Sequence, residues 1–272
     1  MSGFRLVEQD GVKYLIIDSF AATGLVAHAF TTRCGGVSSG DFASLNMAFH
    51  TGDDPANIYE NRRRVCGALG FSAADLVAGK QVHGDRVSLV TGEHRGRGAQ
   101  SPADVLPDTD ALITCRRRVP LSSFYADCVP LFLLDPVHRA IGLAHAGWRG
   151  TCLRIGEKTV RAMEEAFGTK AADCLAGIGP SIGPCCYEVD EPVLVRLRES
   201  FSRWQDLVAP AGPGRWYLNL WEANRRTLLD AGIPDAAVSV AGLCTRCRQD
   251  LFFSHRGSGG RTGRMASLLM LW

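Results

Sequence analysis

Short runs of apolar, β-branched and aromatic residues, bounded by turn formers, recur along the chain and predict strands at residues 14–18, 26–32, 110–114, 119–125, 129–134 and 140–145. Residues 174–178, 238–241 and 267–271 extend the series, so the sheet or sheets must be sizeable. Elsewhere the period changes. Apolar positions recur at helical spacing over 55–69, 148–167 and 218–231, and each run is followed by a glycine, Gly70, Gly168 or Gly232, that suits a helix stop. A fourth helix is expected at 191–204.

The segment 119–145 holds three predicted strands joined by very short turns. Parallel neighbours need a crossover of a dozen or more residues, so part of the sheet must be antiparallel and a regular doubly wound sheet is disfavoured. Strands and helices mix without strict alternation, which places the chain in the α/β (α+β) class. With 272 residues it sits near the upper limit for one hydrophobic centre, and a single domain over 1–272 is expected. Residues 91–108, rich in Gly, Pro, Arg and Asp, read as a long surface loop of the kind that often serves as a lid.

Composition narrows the function classes. Hydrophobic residues make up 46% of the chain and charged ones 21%, which excludes general disorder. A formal net charge of +2 supplies no field for nucleic acid or an anionic membrane, so neither is expected as a partner. The acidic early residues Glu8, Asp10 and Asp18 and the absence of a long apolar run predict a cytoplasmic protein. In a reducing compartment the ten cysteines point to buried thiols, metal ligands or a nucleophile before disulfides.

Three residues stand out chemically. His83 is expected at the end of a short apolar strand beside Gly84, Cys128 where two apolar strands meet, and His145 at a strand end before a glycine turn into a helix. Two imidazoles and a thiolate form a ligand set for zinc that leaves a fourth position open, and the same set suits copper. Asp127 is expensive to bury unless paired, which directs attention to the same turn. The helix start near residue 148 offers free backbone N–H groups to an anion, with Arg149 as partner.

These residues lie in longer motifs: Thr31-Thr32-Arg33, Ser44-Leu45-Asn46, Asn61-Arg62, Gln81-Val82-His83-Gly84, Ala126-Asp127-Cys128, His145-Ala146-Gly147-Trp148-Arg149-Gly150, Cys186-Tyr187-Glu188-Val189 and Thr262-Gly263-Arg264. Through them essentially the whole chain resembles the YfiH family, described variously as polyphenol oxidases, laccase-domain proteins and purine nucleoside phosphorylases. The resemblance implies a mixed, partly antiparallel sheet sandwich flanked by helices, akin to cysteine hydrolases of the toxin deamidase type. It implies a zinc site at His83, Cys128 and His145, with copper as the other candidate metal. It further implies phosphorolysis of adenosine, inosine and S-methyl-5′-thioadenosine by a monomer or homodimer, with adenosine deamination as an added activity.

Phosphorolysis needs a held phosphate, and Arg33, Arg62 and Arg149 are the candidates for it. Ser44 and Asn46 are candidates for ribose or phosphate, and Gln81 for the base. Asp85 or Asp127 is the candidate proton carrier for deamination, although the chain lacks the H-x-E and P-C-x-x-C signature of nucleobase deaminases. Three rivals stay open: a cysteine hydrolase with Cys128 as nucleophile and His145 as base, a copper polyphenol oxidase, and a non-catalytic binding module. Cys244 and Cys247 form a C-x-x-C and Cys185-Cys186 lies upstream, but adjacent cysteines have the wrong spacing for half of such a pair, so a second metal site is not expected from them.

Overall fold

The computed structural model describes residues 3–272. Two six-stranded sheets stack face to face. The first runs in the order Phe4–Gln9, Val12–Ile17, Val26–Thr31, Met265–Leu271, Leu121–Tyr125, Val77–Ala78, and the second Val238–Val240, Leu175–Ile178, Val129–Asp135, Ala140–Ala146, Ala111–Thr114, Val87–Leu89. Most pairings are antiparallel, but Val77–Ala78 and Val87–Leu89 join in parallel, as does Val238–Val240. A small third sheet contains Glu188–Val189, Arg215–Leu218 and Val208–Gly212.

The period-two alternation of each central strand feeds two cores. In Val129–Asp135, Phe132 and Leu134 face the first sheet, where Phe30, Tyr125, Phe252 and Met265 meet them. Leu131 and Leu133 face outward, into a core shared with Ile155–Phe167 and Leu220–Asp230. The first sheet is covered on its outer face by Leu45, Met47 and the apolar side of Pro55–Ala68. With both faces buried, the inner strands read as continuous apolar runs rather than alternating ones. No helix among the described residues is long and apolar enough to cross a membrane.

Several expectations change. The segment 119–145 is not one three-stranded meander: Leu121–Tyr125 belongs to the first sheet, whereas Val129–Asp135 and Ala140–Ala146 form an antiparallel hairpin in the second. Residues 126–128 therefore cross from one sheet to the other. The helix expected over 148–167 is broken into Trp148–Cys152 and Ile155–Phe167, because Arg154 adopts φ 60° and ion-pairs with Glu157 and Asp230. The fourth helix stops at Ser200, and the third begins at Leu220, where Asn219 accepts the backbone N–H of Glu222 at 3.1 Å. The edge strand Phe4–Gln9 and the third sheet escaped the pattern because much of their surface is exposed and carries no apolar alternation.

Candidate metal centre and its cavity

Alternation along Ala140–Ala146 puts Ile141, Leu143 and His145 on the side facing the first sheet. His145 lies opposite Pro130 in the hairpin, so the strand that delivers it is the neighbour of the strand that starts beside Cys128. At the crossover, Asp127 takes φ 89°, a left-handed conformation that costs a non-glycine residue about 1–3 kcal/mol. Its carboxylate secures that turn: Oδ1 accepts the Thr245 hydroxyl at 2.6 Å and Oδ2 the Arg256 N–H at 2.7 Å. Both oxygens are thus engaged in holding the loop that presents Cys128.

His83 does not end a strand, contrary to expectation. It sits in a turn at φ 60°, and one carboxylate organises that turn. Asp110 accepts the backbone N–H groups of Val82, His83 and Gly84 at 2.9–3.0 Å, and its Oδ1 also meets His145 Nδ1 at 2.9 Å. One buried carboxylate therefore positions both imidazoles, and it leaves Nε2 as the free nitrogen of His145.

The ligand atoms of His83, Cys128 and His145 all lie within 4.8 Å of one another, and the two imidazole rings meet edge to face at 4.9 Å. Gly147 makes this approach feasible. A Cβ there would stand 2.9 Å from His83 Cδ2 and 3.1 Å from Cys128 Sγ, so any side chain would invade the space where the trio converges. Burial opposes the Cys128 thiolate, but the neighbouring His145 and His83 outweigh it and hold the thiol below its ordinary range. Burial likewise opposes charge on His145, yet Cys128 and Asp110 raise it. A divalent cation would replace the imidazole protons as the thiolate's counter-charge, so this donor set fits a metal such as zinc or copper.

Asp110→Asn is expected to weaken binding of a divalent metal at the trio about 10- to 100-fold, because the neutral amide no longer orients and polarises His145. Competition with a chromophoric chelator measures this; unchanged affinity would show that the carboxylate only braces the turn.

The trio forms one wall of a cavity of about 710 Å³, within the range of small-molecule sites. Lys80, Arg256 and Arg264 also line it, with Phe49, Phe124 and Tyr187 supplying apolar surface. Arg256 Nη1 donates to Glu188 O at 2.9 Å and Arg264 Nη1 to Thr262 O at 2.7 Å and Gly263 O at 3.0 Å, so their remaining guanidinium N–H groups are the ones left for a ligand. Gly98, Pro102 and Val105 of the predicted lid loop also line it. Asn46 supports Arg264 by accepting its backbone N–H at 2.9 Å.

The expected substrate-binding residues are distributed differently from the prediction. Gln81 lines the cavity, but its amide pairs with both backbone groups of Phe124 at 2.9 Å. Arg62 touches the cavity too, with its Nε donating to Met47 O and its Nη1 to Gly98 O and Ala99 O. Arg33, Ser44, Asn46 and Arg149 are not among its lining residues. Arg33 donates to Ala43 O at 2.7 Å and Ser44 to Arg33 O at 2.9 Å, while Asn46 donates to Thr51 and Asp53. Arg149 is exposed and lies over the Trp148 ring at 5.0 Å. Asp85 is ion-paired with Lys158 outside the cavity. Missed were Asp110, whose signal was an acid opening a buried strand, and Arg264, whose motif carried no chemical pattern of its own.

A family model described as multi-copper polyphenol oxidoreductase laccase matches residues 27–272. The chain is 43% identical over 251 residues to the purine nucleoside phosphorylase YlmD of Geobacillus stearothermophilus, with 90% of each chain covered. It is 32% identical over 248 residues to adenosine deaminase RL5 of an unknown prokaryotic organism, covering 90% of this chain and 94% of that one. Among solved structures, the hypothetical protein YfiH of Bacillus licheniformis matches with a TM-score of 0.95 at 38% identity, over 100% of both chains. Similarity of this extent in sequence and fold establishes that the chain belongs to the YfiH family of laccase-like domain proteins.

Proposed function

We propose that the chain is a zinc-dependent purine nucleoside phosphorylase acting on adenosine, inosine and S-methyl-5′-thioadenosine, with adenosine deamination as a further activity. The observation that carries this reading is the convergence of His83, Cys128 and His145 on a cavity also lined by cationic and aromatic residues. The names of similar proteins support both activities.

In phosphorolysis a phosphate oxygen bonds to ribose C1′ as the C1′–N9 bond breaks; the bonding pair leaves with the purine, which takes up a proton. Lys80, Arg256 and Arg264 bind the phosphate and neutralise its charge beside the sugar. Phe49, Phe124 and Tyr187 exclude water and offer faces to the flat base. His83, Cys128 and His145 would hold the metal, and Asp110 fixes the angle of His145. Zinc, when bound there, would supply Lewis-acid chemistry. Arg33, Ser44 and Asn46 act at one remove, by fixing the loops that frame the site.

Purified zinc-loaded protein should release adenine from adenosine only when phosphate is present, with ribose 1-phosphate as co-product. Arg264→Ala should raise the KM for phosphate more than that for adenosine. Adenine release that continues without phosphate, or after complete zinc removal, would refute the reading.

One observation favours a second reading. Asp110, His145 and Cys128 are arranged as a carboxylate, a base and a lowered thiol, the order a cysteine hydrolase requires. Acyl trapping on Cys128 of zinc-free protein would support it. Copper oxidase chemistry with several metal centres finds less support, because the other metal-capable group among the described residues is made of thiols alone.

A further inference from the structure

Cys185 and Cys186 lie in one loop and Cys244 and Cys247 in another, yet all four Sγ atoms come within 4.8 Å of one another. Cys247 Sγ is 3.6 Å from Cys185 Sγ and 3.4 Å from Cys186 Sγ, and none of these cysteines is disulfide-bonded. Zinc–sulfur bonds of about 2.3 Å at tetrahedral angles separate thiolates by about 3.8 Å. The spacing of adjacent cysteines, which argues against a metal site in the sequence, is overcome because the turn after Gly183 folds both thiols towards the C-x-x-C.

The surroundings are built for this approach. The backbone N–H of Gly183 donates to Cys244 Sγ at 3.2 Å, and that of Cys247 donates to the same sulfur. N–H donors suit a sulfur that carries negative charge. A Cβ on Gly183 would stand 2.8 Å from the Trp221 ring and 3.1 Å from Cys244 Cβ, so glycine is required where the loops meet. Ser181 ties them together: its N–H donates to Leu243 O at 3.2 Å, its carbonyl accepts the Thr245 N–H at 3.1 Å, and its hydroxyl accepts the Trp221 indole N–H at 2.7 Å. Core packing does not account for the cluster, since Cys185 and Cys247 are exposed.

We propose that Cys185, Cys186, Cys244 and Cys247 form a second, structural zinc site. On binding, four thiols release their protons and one zinc ion takes their place. The site clamps two loops with consequences for the cavity: one loop carries Ile182 and Tyr187 into its wall, and the other carries Thr245, which holds Asp127 beside Cys128. This centre stands independently of the phosphorylase reading, because none of its four ligands lines the cavity.

Metal analysis of the full chain, purified without chelator, should find about two zinc ions per chain. Cys128→Ser should retain zinc, and Cys185→Ser/Cys247→Ser should lose about one equivalent. Cobalt substitution in Cys128→Ser should give strong thiolate-to-metal charge-transfer absorption. On unmodified protein, iodoacetamide mapped by mass spectrometry should leave the exposed Cys185 and Cys247 unlabelled until a chelator removes the metal. Immediate labelling of both in untreated protein overturns the proposal. So does protection relieved by reductant but not chelator, which marks a disulfide, or iron in place of zinc, or loss of all zinc in Cys128→Ser.

Discussion

His145→Ala is expected to lower kcat/KM for adenosine phosphorolysis by about 10³-fold, the equivalent of several kcal/mol of lost metal-assisted stabilisation. His145 is buried, and its Nδ1 is already spent on Asp110 at 2.9 Å. His83, the other imidazole of the trio, already has its own ligand position and does not supply a second nitrogen in place of Nε2. The substitution also strips Cys128 of the larger of the two imidazole influences that hold its thiol low, so the second ligand weakens with the first. For that reason His83→Ala combined with His145→Ala should cost little more than either alone. Zinc content and turnover should fall together. A decrease below tenfold with the metal retained would mean that the trio is not the catalytic centre.

Arg62→Ala should destabilise the fold by about 3–5 kcal/mol, because three buried carbonyls lose a charged donor, at about 1–3 kcal/mol for each group left unsatisfied. Arg62 is 2% exposed and donates to three carbonyls, of Met47 at 2.9 Å, Gly98 at 2.7 Å and Ala99 at 2.9 Å. Its guanidinium lies 4.4 Å from the Phe49 ring centre and 4.8 Å from that of Phe124. Burial lowers its pKa to about 10, which still leaves it charged at neutral pH. Hydrogen bonds from a charged donor contribute about 1.5–3 kcal/mol each, an amount offset in part by desolvation of the guanidinium itself. The urea midpoint should drop while the folded protein keeps its capacity to bind metal at the trio. A loss under about 1 kcal/mol would show that water readily replaces Arg62 at those carbonyls.

The contrast between these two residues shows how a motif divides. His145 and Arg62 both occur in stretches that mark the family, and both were candidates for chemistry. Strand alternation explains why His145 faces the space between the sheets. Both Arg62 and Arg264 line the cavity, and nothing in the linear pattern shows that Arg62 braces distant Met47, Gly98 and Ala99 whereas Arg264 Nη1 bonds only its neighbours Thr262 and Gly263. An arginine's role depends on which carbonyls or ligands its fork meets, and those come from distant segments.

The chain's own pattern determined the strands that carry His145 and flank Cys128, most of the helix positions and the mixed sheet, and it drew attention to His83, Cys128 and His145, which the fold brings together. Apolar periodicity and turn formers are local quantities, and they act over a few residues. Which sheet each strand joins was decided by tertiary packing: the short turn at residues 126–128 looks the same in sequence whether it closes a hairpin or crosses between layers. That crossing, the left-handed Asp127 and the Asp110 carboxylate shared by His83 and His145 bring the ligands together. The gathering of Cys185, Cys186, Cys244 and Cys247 has the same origin, because the distance between thiols is set by the approach of two loops and not by spacing along the chain.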